Sequence, residues 1–254
     1  MIKNLKFYSV VLMIIFTSTF SATAITLKSS ISTEQEERLV KTEYWCLCIG
    51  PYDYKVETKN NFVIDVIAAK NLLVNNGWNE KHIELLTGKI SPEDVIDSLR
   101  LLDKRTNKND IVFIYLTTHG GPGHAWFPLG DLEYDIMDEY LDEIECMGMG
   151  IIINSCYSGS AIPSLKQEGR VILTSSSADK KGGFNFNIIN GLTIIGDFLG
   201  NNDYKVSIEE AFNYNQNYWG NPENKDHQIS DLYDGELNLV NYINKEDTIT
   251  DVYQ

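Results

Sequence analysis

Two apolar runs that end in polar residues decide the fold of this chain: IVFIYLTTHG at residues 111–120 and GIIINSCYSGS at residues 150–160. Their β-branched and aromatic residues are continuous rather than alternating, which is typical of strands buried on both faces of a parallel sheet. The first run ends in His119 and Gly120, and the second in Cys156 and its neighbours. Because the carboxyl ends of parallel strands meet at one edge of a sheet, we expect His119 and Cys156 to share a crevice there.

Further strands and helices alternate along the chain around these runs. An apolar run at 44–49 predicts a strand, and apolar residues at helical spacing from Phe62 predict a helix that ends at Gly77. Ser91 and Pro92 begin a second helix, because serine is a good N-cap and proline suits the first turn. The other predicted elements are strands at 82–86, 171–173 and 236–240, and helices at 134–145, 184–198 and 207–218. This alternation predicts an α/β sandwich around a mostly parallel sheet.

The first 24 residues have the pattern of a cleaved secretory signal. Lys3 and Lys6 precede an apolar run at 7–20, and the small residues at 22–24 suit a signal peptidase. A membrane anchor is the alternative, but the run is shorter than the ~20 residues that span a bilayer. We therefore expect a signal peptide at 1–24, no membrane span after its cleavage, and a protein that is secreted or lies on the exterior of the cell envelope.

The rest of the chain divides into three parts. Residues 25–43 are rich in Ser, Thr, Glu and Gln, which predicts a polar spacer or a short pro-segment. No repeat and no second linker follow in the sequence. We therefore predict one domain at 44–243 and a tail at 244–254.

Composition excludes several classes of protein. The 254 residues carry 21 Lys and Arg against 36 Asp and Glu, a net charge of -15, so nucleic acid is not an expected partner because its phosphates would be repelled. Four cysteines in a chain of this length are too few for a disulfide scaffold. Cys46 and Cys48 alternate on a predicted buried strand, so we expect both in the core on one face of the sheet.

The pairing of His119 with Cys156 favours nucleophilic catalysis. A cysteine attacks as a thiolate, and a neighbouring imidazole takes its proton and later protonates the leaving group. The backbone N–H groups of Gly120 and Cys156 are candidates for an oxyanion hole. Taken alone, each side chain is more often structural, either a hydrogen-bonded histidine or a buried or paired cysteine. His124 follows His119 by five residues, but the glycines between them break the helix that a zinc pair would use, so we expect no metal and no cofactor.

The two runs resemble the catalytic-histidine and catalytic-cysteine segments of the legumain family. Residues 112–120 and the Pro/Gly-containing stretch after them are similar to the first segment, and residues 151–160 are similar to the second. The resemblance runs from about residue 44 to about residue 240. It implies a caspase-like fold, a three-layer α/β/α sandwich, and a cysteine endopeptidase that acts on proteins or peptides. It also implies that His119 and Cys156 are the catalytic dyad, with Gly120 and Cys156 as the oxyanion hole.

The chain departs from the legumain pattern around the substrate pocket. Asn154 stands two residues before the cysteine, where legumains have a glutamate that lines the pocket, and a glycine at 182 or 183 replaces an acid. The resemblance also implies that Asn60 or Asn61 corresponds to the asparagine that orients the histidine of the family.

The segment 174–180 holds two further candidates for the pocket, Ser176 and Asp179. Asp179 lies near the position at which relatives specific for basic residues carry a pocket acid. The alternative, which we favour, is an exposed loop acid beside Lys180. Asparagine, aspartate and basic residues therefore all stay open as the residue preferred before the cut.

Two other functions share these features of the sequence. Some relatives of legumain are transamidases or peptide ligases, because an amine can resolve an acyl-enzyme when water is excluded. The other alternative is a non-catalytic surface binding protein that retains the fold, although such a protein has no need of a thiol beside an imidazole.

Overall fold

The computed structural model describes residues 41–52, 61–75, 77–181 and 231–234. The chain divides between Thr42 and Glu43, and the elements below belong to the unit that begins at Glu43. The described strands are β1 (Tyr44–Pro51), β2 (Ile83–Gly88), β3 (Ile111–Thr117), β4 (His119–Gly121), β5 (His124–Phe127), β6 (Gly130–Glu133), β7 (Gly148–Asn154), β8 (Arg170–Thr174) and β9 (Asp231–Asp234). The described α-helices are α1 (Asn61–Asn75), α2 (Pro92–Asp103), α3 (Tyr134–Leu141) and α4 (Ile162–Leu165).

Six strands form one mixed, mostly parallel sheet, as the alternation of elements predicts. Its strand order is β2-β1-β3-β7-β8-β9. All neighbouring pairs are parallel except β8 and β9, which are antiparallel. The two apolar runs form the adjacent central strands β3 and β7, and every residue of β3 is buried. Burial on both faces is the reason that these strands are continuously apolar.

Helices cover both faces of this sheet among the described residues. On one face α1 packs against β1, β2 and β3, around a core that includes Val66, Tyr115 and Ile152. On the other face α2 and α3 pack around a core that includes Leu99 and Met137. Within the part of the chain that the structure describes, no helix is both long and apolar enough to cross a membrane.

The helix boundaries follow local signals in the sequence. Ser91 is the N-cap of α2: its hydroxyl accepts from the Asp94 N–H, and the Asp94 carboxylate accepts from the Ser91 N–H, which completes a capping box. Past α1, Gly77 has a φ of +83°. Its N–H donates to the Val74 carbonyl, and the following N–H, of Trp78, donates to the Leu73 carbonyl. This is a Schellman motif, so the prediction that the helix ends at Gly77 is confirmed.

Three features of the described residues go beyond or differ from the prediction. The residues after His119 form a separate antiparallel sheet, β4-β5-β6, which the sequence patterns did not predict. Helix α3 ends at Leu141 rather than at 145. Strand β9 lies at Asp231–Asp234. The strand predicted at 236–240 and the helices predicted at 184–198 and 207–218 lie outside the described residues.

The buried cysteines are core residues, as predicted. Cys46 and Cys48 lie on β1 with their side chains in the same core, and their Sγ atoms are 3.4 Å apart. Burial raises the pKa of the Cys46 thiol well above its ordinary value. The Cys46 thiol is therefore an inert packing group at neutral pH.

Candidate functional site

The ends of β3 and β7 bring the two polar segments together. The strands are parallel neighbours in a register that pairs Thr117 with Asn154. One residue further, the Thr118 N–H donates to the Asn154 carbonyl at 3.1 Å. His119 follows Thr118 by one residue and Cys156 follows Asn154 by two, and both side chains are half-buried. The predicted sharing of one edge by these segments is therefore confirmed at the level of the backbone.

Gly120 lies directly against the backbone of the cysteine segment. A methyl group in place of its hydrogen would lie 2.5 Å from the Cys156 carbonyl oxygen and 2.8 Å from the Ser155 hydroxyl oxygen. Real Cβ atoms do not approach a backbone oxygen so closely, so only glycine fits here without displacing a neighbour. The histidine and cysteine segments are thus in van der Waals contact at this residue.

The register of the small sheet fixes the direction of the Gly120 backbone groups. A two-residue turn joins β4 to β5, so the pair Gly121–His124 closes the hairpin. In an antiparallel ladder the hydrogen-bonded pairs alternate, and the next such pair is His119–Trp126. The Gly120 N–H and carbonyl therefore point away from β5.

The His119 ring packs on helix α1. Its centroid is 5.1 Å from that of Phe62, and the ring planes are nearly perpendicular at 89°. An edge-to-face contact of this kind fixes the orientation of both rings. The carbonyl of Phe62 would in turn lie 2.5 Å from a methyl group at Gly50, so the close approach of α1 to β1 requires glycine there.

Four serines support the loop that carries Cys156. Ser155 and Ser158 flank it, and Ser175 and Ser176 follow β8. The Ser155 N–H donates to Ser175 Oγ at 3.1 Å, and the Ser158 N–H donates to Ser176 Oγ at 3.1 Å. In return the Ser176 hydroxyl donates to the Ser155 carbonyl at 2.9 Å, and its N–H donates to Ser158 Oγ at 3.0 Å. All four residues are buried, so these bonds anchor the cysteine loop to the end of β8.

A fifth serine ties the cysteine loop to the histidine hairpin. Ser160 Oγ accepts from the Gly123 N–H at 2.8 Å and donates to the Tyr157 carbonyl at 2.6 Å. Tyr157, directly after the cysteine, has a left-handed backbone with a φ of +59°. Its N–H donates to the Lys180 carbonyl at 2.8 Å. Such a conformation persists in a residue other than glycine only when its surroundings hold it, and here hydrogen bonds do so.

A buried polar chain lies beneath the two strand ends. The Asn154 Nδ2 donates to Thr117 Oγ1 at 3.3 Å, and Thr117 Oγ1 donates to Asp65 Oδ2 at 3.1 Å. Asp65 lies on α1 and is 5% exposed. Burial raises the pKa of its carboxyl to about 7, although the hydrogen bond from Thr117 acts in the opposite direction. The carboxyl therefore titrates in the neutral range.

The candidates for the substrate pocket have different surroundings. Asn154 is half-buried at the end of β7. Asp179 has a side chain that is 77% exposed, and the hydrogen bond from Ser177 lowers its carboxyl pKa, which agrees with an exposed loop acid. Ser176 is 0% exposed and its hydroxyl is bonded to the serine cluster, so we correct its assignment from the pocket to the support of the cysteine loop.

The remaining predictions for the site concern an orienting asparagine and metals. Asn60 lies outside the described residues, and Asn61 is the first residue of α1, where its side chain is not described. Among the described residues, no group of three or more His, Cys, Asp or Glu side chains is arranged to hold a metal ion.

Three features of the site were not predicted from the sequence: the serine support, the Phe62 ring and Asp65. The serine bonds join residues about 20 positions apart, and no local pattern predicts such a pairing. Asp65 did leave a signal, since it is an acidic residue between buried positions of an apolar helix. A carboxyl there is costly unless it is bonded or protonated.

Comparisons with known proteins identify relatives of both the sequence and the fold. The sequence matches the Peptidase C13 family over residues 65–216, which is more than half of the chain. The fold resembles that of caspase-1 from Spodoptera frugiperda, with a TM-score of 0.58 at 11% identity over 82% of this chain and 92% of that chain. At this identity the likeness shows the fold alone, and it confirms the predicted caspase-like sandwich. No curated protein matches the sequence.

Proposed function

Because this chain belongs to the peptidase C13 family, whose members are cysteine peptidases acting on proteins and peptides, we propose that it is an exported endopeptidase with Cys156 as nucleophile and His119 as its acid–base partner. The family assignment agrees with the resemblance to legumain seen in the two apolar runs. It makes a non-catalytic binding protein the weaker alternative.

The observation that carries the proposal is the contact between the two segments at the sheet edge. Thr117 pairs with Asn154, and Gly120 touches the Cys156 backbone. The residues on which the proposed chemistry depends thus extend from neighbouring strand ends. The serine bonds and the Phe62 ring hold the cysteine loop and the imidazole in one arrangement, which favours catalysis by fixed geometry.

The proposed reaction follows from the chemistry of a thiol and an imidazole. His119 takes the proton of the Cys156 thiol, and the thiolate attacks the carbonyl carbon of the peptide bond. The tetrahedral intermediate collapses as the C–N bond breaks, and the imidazolium gives its proton to the leaving amine. Water, deprotonated by His119, then hydrolyses the thioester and restores the free thiol.

The oxyanion hole in this proposal consists of the N–H groups of Gly120 and Cys156. The Gly120 N–H points away from β5. Two donors of this kind stabilise the negative oxygen of the intermediate without any rearrangement during the reaction. In this proposal Gly120 has two roles: the absence of a side chain allows its close approach to Cys156, and its N–H donates to the oxyanion.

Export is proposed from the pattern of residues 1–24, with cleavage after Ala24. Mass spectrometry of the protein recovered from its native host tests this directly. A mature chain that begins at Ile25 supports export by this route, whereas an N-terminus that still contains Lys3 and Lys6 contradicts it.

The test of the proposed reaction is hydrolysis of a peptide library by three purified proteins. The wild type is expected to cleave internal peptide bonds, and Cys156→Ala to lose at least about 10³-fold in kcat/KM. Cys146→Ala is the matched control, because Cys146 is also a half-buried free thiol but lies before β7, at the opposite edge of the sheet. Equal activity of the wild type and Cys156→Ala, with both folded by circular dichroism, would refute the proposal.

A further inference from the structure

Asp65 is a buried carboxyl that the proposed reaction does not use. It lies on α1 one helical turn after Phe62, whose ring contacts His119. Its side chain is directed at the end of β3, where it accepts a hydrogen bond from Thr117 at 3.1 Å. A carboxyl in such a place costs free energy unless it is protonated or well bonded. Its position just beneath the site therefore favours a functional role for this carboxyl.

One chain of hydrogen bonds connects this carboxyl to both catalytic segments. Thr117 precedes His119 by two residues, and Asn154 precedes Cys156 by two residues. The Asn154 amide donates to Thr117, and Thr117 donates to Asp65. Asn154 is half-buried, whereas Thr117 is fully buried. The chain thus leads from a buried carboxyl to a side chain at the rim of the crevice.

No opposite charge faces Asp65 among the described residues. The elements packed against α1 are chiefly β1, β2 and β3. The titratable groups on that face are Tyr44 and the two thiols of β1 and Tyr115 of β3, and β2 contributes apolar residues to it. The His119 imidazole contacts the same helix through Phe62, one turn before Asp65. Burial raises the pKa of Tyr115 well above its ordinary value, so its hydroxyl stays neutral, and it hydrogen-bonds with Asn154 and Thr117. Asp65 Oδ1 is buried and has no hydrogen-bond partner in the described part of the chain.

We propose that Asp65 is a positioning residue whose protonation state sets which group of the Asn154 side-chain amide faces the substrate crevice. This inference rests on the proposed peptidase function for its consequence, but the hydrogen-bond chain itself does not depend on catalysis.

The two protonation states impose opposite directions on the chain. An ionised carboxylate only accepts, so the Thr117 proton is committed to Asp65, and Thr117 Oγ1 takes a proton from the Asn154 Nδ2. The amide oxygen of Asn154 is then left for the crevice, where it favours a substrate side chain that donates a hydrogen bond. A protonated Asp65 donates to Thr117 instead. The Thr117 hydroxyl can then donate to the Asn154 Oδ1, which requires the side-chain amide to rotate by half a turn. After this rotation the NH₂ group of Asn154 faces the crevice, where it favours a substrate side chain that accepts a hydrogen bond.

The proposal is tested by following the Asn154 side-chain amide in ¹⁵N-labelled protein from about pH 5.5 to about pH 8.5, a range that brackets the titration of Asp65. The signal is assigned by its absence in Asn154→Ser. In the wild type its chemical shift is expected to change with a midpoint near pH 7, and in Asp65→Asn to stay constant. Asp97→Asn removes an exposed carboxyl on α2 and is the matched control, which should titrate as the wild type does.

Two outcomes would overturn the proposal: an amide signal that does not titrate in the wild type, or the same titration in Asp65→Asn. Thr117→Val breaks the chain at nearly constant volume and is the second variant, with a flat signal expected, should Asp65→Asn fail to fold. A signal that still titrates in Thr117→Val would contradict the proposed route.

Hydrolysis gives a second readout that separates this proposal from the proposed function. In the wild type we expect the pH profile of kcat/KM to show an ionisation near pH 7 that arises from KM. Asp65→Asn is expected to remove this ionisation and to leave the pH profile of kcat unchanged. A merely structural role would lower activity by the same factor at every pH. If the wild type hydrolyses no peptide, the proposed function fails, and the amide titration still decides the role of Asp65.

Discussion

At the amino-terminal edge of the sheet the buried Arg170 is bonded to two carboxylates, whereas at the carboxyl-terminal edge the buried Asp65 is bonded to a threonine hydroxyl. Arg170 donates to Asp138 at 2.6 Å and to Asp142 at 2.7 Å, and it is 3% exposed. Asp65, at 5% exposed, accepts from Thr117 at 3.1 Å and has no ion pair among the described residues.

The two buried groups differ in their role: the charge of Arg170 stabilises the fold, whereas the charge of Asp65 can change with pH. Two carboxylates compensate the charge of the buried guanidinium. The Asp65 carboxyl has no such compensation, and burial raises its pKa to about 7. We therefore expect changes at the site edge to alter activity and pH dependence, and changes at the opposite edge to alter stability alone.

The largest expected effect is at Gly120, where the site edge is most tightly packed. In Gly120→Ala the new methyl group would meet the Cys156 carbonyl at 2.5 Å, which forces the two segments apart. The resulting loss of kcat is expected to be about 10³-fold, since both the oxyanion donor and the dyad geometry are displaced.

The control for this change is Gly169→Ala at the opposite edge, which is measured in the same peptidase assay. No atom of the described residues lies within 4 Å of the added methyl group there, although the φ of +85° strains any residue other than glycine. It should lose some stability and keep its kcat. Comparable losses of kcat in both variants would mean that the two edges do not differ in function.

The second effect is a pH-dependent change in stability at Asp65. Its pKa is near 7 in the folded protein and near 4 in the unfolded chain, so the native state binds the proton more tightly. Its contribution is therefore fully present at low pH and is lost as the pH rises from about 4 through about 7. Asp65→Asn removes this loss, so its unfolding free energy relative to the wild type is expected to rise by about 4 kcal/mol between pH 4 and pH 8.

Urea unfolding of both proteins across this pH range measures the effect. Other groups titrate equally in the two proteins and cancel in the difference. A difference in unfolding free energy that is independent of pH would show that Asp65 does not titrate in the native state near neutrality.

The smallest of these effects is expected at Arg170. In Arg170→Met the two carboxylates lose their partner, but both are partly exposed, at 26% and 50%, and regain water. We expect a loss of about 2 kcal/mol in unfolding free energy and no change in kcat. Arg100→Met is the control, because Arg100 also has two carboxylate partners but lies on the surface, and little change is expected there. Equal losses of unfolding free energy in the two variants would mean that the burial of Arg170 does not increase its contribution to stability.

The sequence predicted the central strands and the two catalytic candidates because their signals are local. Continuous apolar runs identify β3 and β7, and the position of His119 and Cys156 just past them requires only the rule for parallel strand ends. Ser91 and Gly77 likewise set the ends of helices through hydrogen bonds among residues close to them in the sequence. The order and spacing of both segments then sufficed to suggest the family.

The sequence could not predict the parts that depend on distant contacts. Strands β4 to β6 are only three or four residues long, and the first turn of this sheet is held by a bond from Gly123 to Ser160, 37 residues away. Ser176 is a pocket candidate by its place in the segment 174–180, but its partners on the cysteine loop are 18 to 21 residues away. Such pairings arise from tertiary packing rather than from local propensity.

The most direct test of the central claim, that His119 activates Cys156, is the rate of alkylation of each cysteine by iodoacetamide near pH 7, read by peptide mapping. Burial raises the pKa of Cys146 to about 11, so this half-buried thiol is an internal reference for slow reaction. We predict that Cys156 reacts at least about tenfold faster than Cys146, and that His119→Ala removes this advantage. A Cys156 that reacts no faster than Cys146, or equally fast without His119, would contradict the account.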